Sequence, residues 1–231
     1  MTRLPTHVSA LALMTIDLSH LYRPTRPPRG RFDHLHVVAY GLLSHRVRAD
    51  GRLTFALDTC AIGAGTSERE LANSLEDDLT DFGVLAAYNL QATALPLLLS
   101  VTKPGDHLSI AALASAPPER FCDLSQHTWT KTLVPFEQAC ERVGIDTVPT
   151  DAAADQTMWS FAVTEHMTAV IAARAIATWR LWLAGHADAS GHWQACVAAS
   201  AQLDIWLEQH PLPVFDRNGR RLPSSWRARD A

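Results

Sequence analysis

The sequence predicts an α/β domain built on a mixed β-sheet covered by helices. Three observations predict it. Three apolar runs suited to strands lie in the first sixty residues, and the second and third are joined by Asp50-Gly51, a strong hairpin signal. A capped helix with a leucine stripe follows from Ser67. A fourth strand-like run, Val84–Tyr88, comes after that helix, so the crossover places it parallel to the first strand.

Ala10–Ile16 is a short apolar run ending at Asp17, with the length and content of a buried strand. Arg23–Arg31, RPTRPPRGR, is too rich in proline for a helix or a central strand and reads as a loop. His36–Arg48 and Arg52–Cys60 are the hairpin strands. Ser67 and Glu70 fit a capping box, and Leu71, Leu75 and Leu79 follow at helical spacing. After Asn89, Ala92–Val101 is an apolar helix that admits Pro96 in its first turn. Phe121–Leu124 is a short strand. Leu133–Val143 is a helix stopped by Gly144, and Val163–Ala184 a long apolar helix stopped by Gly185. His192–His210 is the last helix, with Trp193, Val197, Leu203 and Trp206 expected on its inner side. Residues 1–210 thus read as one domain, and 211–231 as a basic tail.

A chain of 231 residues with 47% hydrophobic and 19% charged residues has the makings of a full globular core. The net charge of -4 does not favour nucleic acid, but the distribution is uneven. Eight arginines lie between Arg3 and Arg52, against Asp17, Asp33 and Asp50. Glu68, Glu70, Glu76, Asp77 and Asp78 form an acidic stretch, and Arg217, Arg220, Arg221, Arg227 and Arg229 make the end basic. Basic patches hold phosphates; they are also ordinary solvated surface. Cys60, Cys122, Cys140 and Cys196 are too far apart for a CxxC site, so they are expected as reduced thiols of a cytoplasmic protein. Residues 1–10 lack the order of a signal peptide, and no apolar run reaches the roughly 20 residues that span a bilayer.

The order of elements and several scaffold residues resemble the ribonuclease-H-like DEDD 3′–5′ exonucleases. The group most like this chain is the predicted exonucleases related to the proofreading domain of family B DNA polymerases. The first strand ends in Asp17-Leu18-Ser19 where that group has Asp-x-Glu. Asn89 to Leu98 matches the following motif at Asn89, Leu95, Pro96 and Leu98, with Thr93 and Ala94 in its Phe and Asp places. Asp123-Leu124 and Val143-Gly144-Ile145 also look similar. In the last motif Val170 takes the Tyr place, Arg174 the Asp place, and Thr178 fits. The resemblance implies a mixed ribonuclease-H-like sheet of three strands, helix, strand and helix, with further helices at the C-terminal end. It also implies a remnant catalytic site at Asp17, Ser19, Ala94 and Arg174.

Such enzymes hold two divalent metals, Mg²⁺ or Mn²⁺, with four carboxylates. Only Asp17 remains as a metal ligand in this alignment, and the fixed charge of Arg174 opposes a cation. The expectation is therefore an inactive exonuclease-like domain without a metal cofactor, with an Asp17–Arg174 ion pair across the old site. Asp17 also reads more plainly as a turn residue. Arg23, Arg26, Arg29, Arg31 and Asn89 are the candidate contacts to single-stranded DNA or RNA.

Two further functions stay open. One is an active metal-dependent exonuclease with relocated ligands, drawn from Glu165 or from His20, His34 and His36. The other is a structural or partner-binding protein, including a homo-oligomer, with a filled cleft. The histidines are more simply surface or hydrogen-bonded strand residues, and Glu165 a first-turn acid that suits the helix dipole. Trp159, Trp179, Trp182, Trp193 and Trp206 are read as core or interface before stacking platforms for bases.

Overall fold

A computed structural model describes residues 4–18, 34–80, 82–102, 105–126, 134–148, 151–215 and 221–222. It contains a five-stranded mixed sheet. The first strand β1 (His7–Asp17) and the hairpin β2 (Leu35–Val47) and β3 (Leu53–Ala61) lead into helix α1 (Glu68–Asp78). Strand β4 (Val84–Ala87) runs into a turn of π-helix at Leu90–Ala94, which continues as α2 (Leu95–Val101). Then come α3 (Leu108–Leu113), β5 (Phe121–Asp123), α4 (Phe136–Arg142), α5 (Ala152–Ser160), α6 (Thr164–Ser190) and α7 (Trp193–Gln209). Val214–Phe215 and Arg221–Leu222 pair as a small separate ribbon in the expected tail.

The strand order is β3-β2-β1-β4-β5. β2 is antiparallel to both neighbours, while β4 lies parallel to β1 and β5 parallel to β4. The hairpin turns at Gly51, whose φ of 82° is costly for any side-chain-bearing residue. Alternation along β2 divides the core in two. Tyr40 and Leu42 pack with Leu71 and Leu75 of α1 and Leu97 of α2. Leu43 packs with Trp179 and Trp182 of α6 and Leu203 of α7. Gly41 lies under α6, where a Cβ would sit 2.6 Å from the Ile171 carbonyl oxygen. Its missing side chain lets α6 lie close over the sheet, and that approach carries Arg174 to the sheet's middle.

Several sequence expectations are corrected. α6 does not stop at Gly185, which is buried within it; it ends at Gly191, the residue with positive φ. Glycine stops a helix only where the backbone turns left-handed, and alanine-rich sequence carries α6 onward. α4 begins after Pro135 rather than at Leu133, since proline disfavours helix in the residue before it. On α7, Leu203 is buried and Trp206 half-buried, but Trp193 and Val197 face outward. Ser67 caps α1 through its Oγ, accepting from the Arg69 N–H, while Glu70 N–H reaches the Ser67 carbonyl. α3 and α5 are absent from the sequence reading. None of the four cysteines is in a disulfide, and two of them, Cys140 and Cys196, are buried. Among the described residues no helix is long and apolar enough to cross a membrane.

Candidate functional site

A cleft of about 360 Å³ opens where β1, β4, α2, α5 and α6 meet. β1 supplies Leu11 to Thr15, an apolar wall that ends in one hydroxyl. The end of β4 supplies Tyr88 and Asn89, and the next turns Thr93, Ala94 and Leu97. Arg174 and Thr178 enter from α6 and Asp155 from α5.

Local chain chemistry builds the β4 side. Asn89 is left-handed, at φ 53° and ψ 41°, a conformation asparagine tolerates better than most residues. Its carbonyl accepts the N–H of both Thr93 and Ala94, at 2.9 and 3.1 Å, which opens the first turn into a π-helix. Asp123 braces this turn. Its Oδ2 accepts the Gln91 N–H at 3.0 Å, and its Oδ1 accepts from the Ser125 N–H and hydroxyl at 3.0 and 2.6 Å. The Tyr88 hydroxyl donates to the Val134 carbonyl, and its ring meets Phe136 edge-on at 5.5 Å. Burial raises the Tyr88 pKa.

The charged centre of the cleft is a buried ion pair. Arg174 Nη1 lies 3.1 Å from Asp155 Oδ2 and Nη2 lies 3.4 Å from Oδ1, a bidentate arrangement. The two side chains are only 6% and 5% exposed. Both charges have left water, so each depends on the other.

The structure brings some of the expected residues together and separates others. Asn89, Ala94, Arg174 and Thr178 share the cleft. Asp17 is exposed at the end of β1, opposite Leu35 and past the segment that lines the cleft. The expected Asp17–Arg174 pair is thus corrected: the pair that spans the site is Arg174–Asp155. The strand rises ~3.3 Å per residue, so an alignment displaced along it moves a side chain far from its assigned place. Ser19, His20, Arg23, Arg26, Arg29 and Arg31 lie outside the described residues. His36 Nδ1 sits 3.3 Å from Glu68 Oε2, and Glu68 Oε1 accepts the Val37 N–H at 2.8 Å, which ties the hairpin to α1. Glu165 is an exposed acid in the first turn of α6.

The donors at the cleft do not fit Mg²⁺ or Mn²⁺. The places that the resemblance gives to carboxylates hold Ala94 and Arg174, and both oxygens of Asp155 face a guanidinium. Among the described residues no group of three or more His, Cys, Asp or Glu is placed to hold a metal ion.

Asp155 is the residue the sequence reading missed. Its helix has no marked apolar stripe. One signal was available: Asp151 stands before an alanine run, and its Oδ1 accepts the Ala153 and Ala154 N–H groups at 3.0 and 3.1 Å. That cap starts α5 and turns Asp155, one turn on, inward.

No protein-family model matches the chain, and no curated protein matches it.

Proposed function

We propose that the chain is a ribonuclease-H-like domain of the DEDD exonuclease type that does not cut nucleic acid, and that it holds a single strand through its Arg-rich segment. One observation carries the first part: Arg174 and Asp155 form a buried ion pair in the cleft where Asn89 and Ala94 also meet. A cation needs carboxylate oxygens that are free to turn to it, and a guanidinium on the same oxygens competes permanently. The hairpin on one side of β1 and the parallel β4 on the other support the ribonuclease-H-like reading. Nucleic-acid binding rests on Arg23, Arg26, Arg29 and Arg31, whose chemistry suits phosphate.

The test is a short single-stranded oligonucleotide incubated with protein and Mg²⁺ or Mn²⁺, followed on a gel and by calorimetry. The strand stays intact and the metals do not bind. Affinity for the strand falls with salt, with a log–log slope of about -3 if four arginines each neutralise one phosphate. Replacing the four arginines by alanine removes that slope. Shortening of the strand from its 3′ end, abolished by Asp17→Ala, would make the protein an active exonuclease with relocated ligands. An intact strand that never binds leaves the partner-binding reading, which the apolar β1 wall of the cleft favours.

A further inference from the structure

The exposed face of α7 is a second feature, independent of the cleft. Trp193, Val197, Ala201 and Ile205 recur every fourth residue and form one ridge inclined to the helix axis. Trp193 is 56% exposed, Val197 67% and Ile205 55%. The stripe is about 18 Å long at 1.5 Å per residue. Beside it runs a groove of about 340 Å³ between α6 and α7, with Ile145, Leu183 and Ala187 in its lining.

We propose that this face joins two copies of the chain, α7 against α7 in antiparallel order about a two-fold axis near Ala199. Two properties of the sequence select a second copy. The stripe is complementary to itself. Reversed about Ala199, Trp193 meets Ile205 of the partner, and Val197 meets Ala201, so large residues oppose smaller ones at both ends of the contact. An isologous interface requires this kind of self-match, and rows of residues four apart form ridges that interdigitate.

The charges agree. α7 carries only Asp204 and Glu208, both in its C-terminal half, with no basic residue in its last turn and no acid in its first. An acid near a helix C-terminus opposes that helix's own dipole. Asp204 is held by Arg180 at 2.6 Å. In the antiparallel pair, Glu208 falls beside the partner's α7 N-terminus, where the dipole favours it. One helix pair covers less than a standard interface, so the dimer is weak and forms with rising concentration.

Sedimentation velocity of the full chain, from low micromolar to several hundred micromolar, tests this. The weight-average mass rises from one chain towards two. Val197→Arg, a change at an exposed position, holds the mass at one chain with an unchanged circular dichroism spectrum. Glu208→Lys separates the dimer from the fold: it weakens association several-fold, and less so at high salt, without lowering the melting temperature of dilute protein. A mass of one chain at every concentration overturns the proposal, as does a dimer that Val197→Arg leaves intact.

Discussion

Helix α6 is tied to its surroundings by two buried polar links of different kinds. Arg174, in its first half, is charged and paired with Asp155. Trp179, just over a turn later, is neutral and donates from Nε1 to His45 Nδ1 at 2.9 Å. His45 is fully buried, and its Nε2 lies 3.2 Å from the Pro5 carbonyl, so the ring carries its proton on Nε2 and accepts at Nδ1. Its surroundings are aromatic: Trp179, Trp182 and Phe55 all meet the ring. The charged link tolerates no loss of either partner. The neutral link tolerates no gain of a proton. One half of the helix is therefore vulnerable to substitution and the other to acid.

The largest expected effect breaks the charged link. Asp155→Ala removes the carboxylate from a buried ion pair and costs about 3–5 kcal/mol, read from urea unfolding. The double change Asp155→Leu with Arg174→Met sharpens the point. It restores most or all of that loss, because apolar groups of similar size need no compensating charge. A double variant as unstable as Asp155→Ala would show that the pair does more than neutralise itself.

The next effect comes from acid. Burial pushes the His45 pKa down from its ordinary 6.5 to about 4. Between those values the unfolded chain binds the proton and the folded chain does not. Stability is therefore complete above pH 6.5 and falls as pH drops towards 4, by up to about 3 kcal/mol. His186, stacked on Trp182, is lowered by its own burial first and then by His192, and adds a smaller slope of the same sign. Unfolding measured from pH 7 to 5 shows the slope, and His45→Gln removes most of it. A slope that survives in His45→Gln would place the proton elsewhere.

The smallest effect is at the surface. Arg180 and Asp204 bridge α6 and α7 at 2.6 Å, with side chains 32% and 56% exposed. Water and salt screen such a pair, so Asp204→Asn changes stability by about 0.5 kcal/mol or less in the same unfolding assay. Set against Asp155→Ala, this separates burial from charge as the source of the cost.

Much of the fold was legible in the chain because its signals are local. Asp50-Gly51 announces the β2–β3 turn, Ser67 the start of α1, and the run from Val84 a strand beside β1. The misreadings share a cause. Gly185 carries the same signal as Gly191, and only packing decides which of them bends the chain. Trp193 and Val197 look like core residues by type, but the core had room for Leu203 and not for them. At the cleft, the resemblance named Asn89, Ala94 and Arg174, which the structure brings together, but it did not name Asp155, which pairs with Arg174. Asp17 and Asp155 are both acids in short local contexts, and nothing along the chain ranks one above the other.

The sequence by itself determined the strands, the hairpin, the starts of α1, α6 and α7, and the absence of acidic side chains at positions 94 and 174. These follow from backbone preferences and side-chain periodicity, which act over a few residues. The tertiary structure alone decided that Arg174 pairs with Asp155, that Asp17 stands clear of the cleft, and that α7 presents an apolar stripe to solvent. Those outcomes depend on how closely α6 can approach the sheet over Gly41 and on which side chains the core has volume to take.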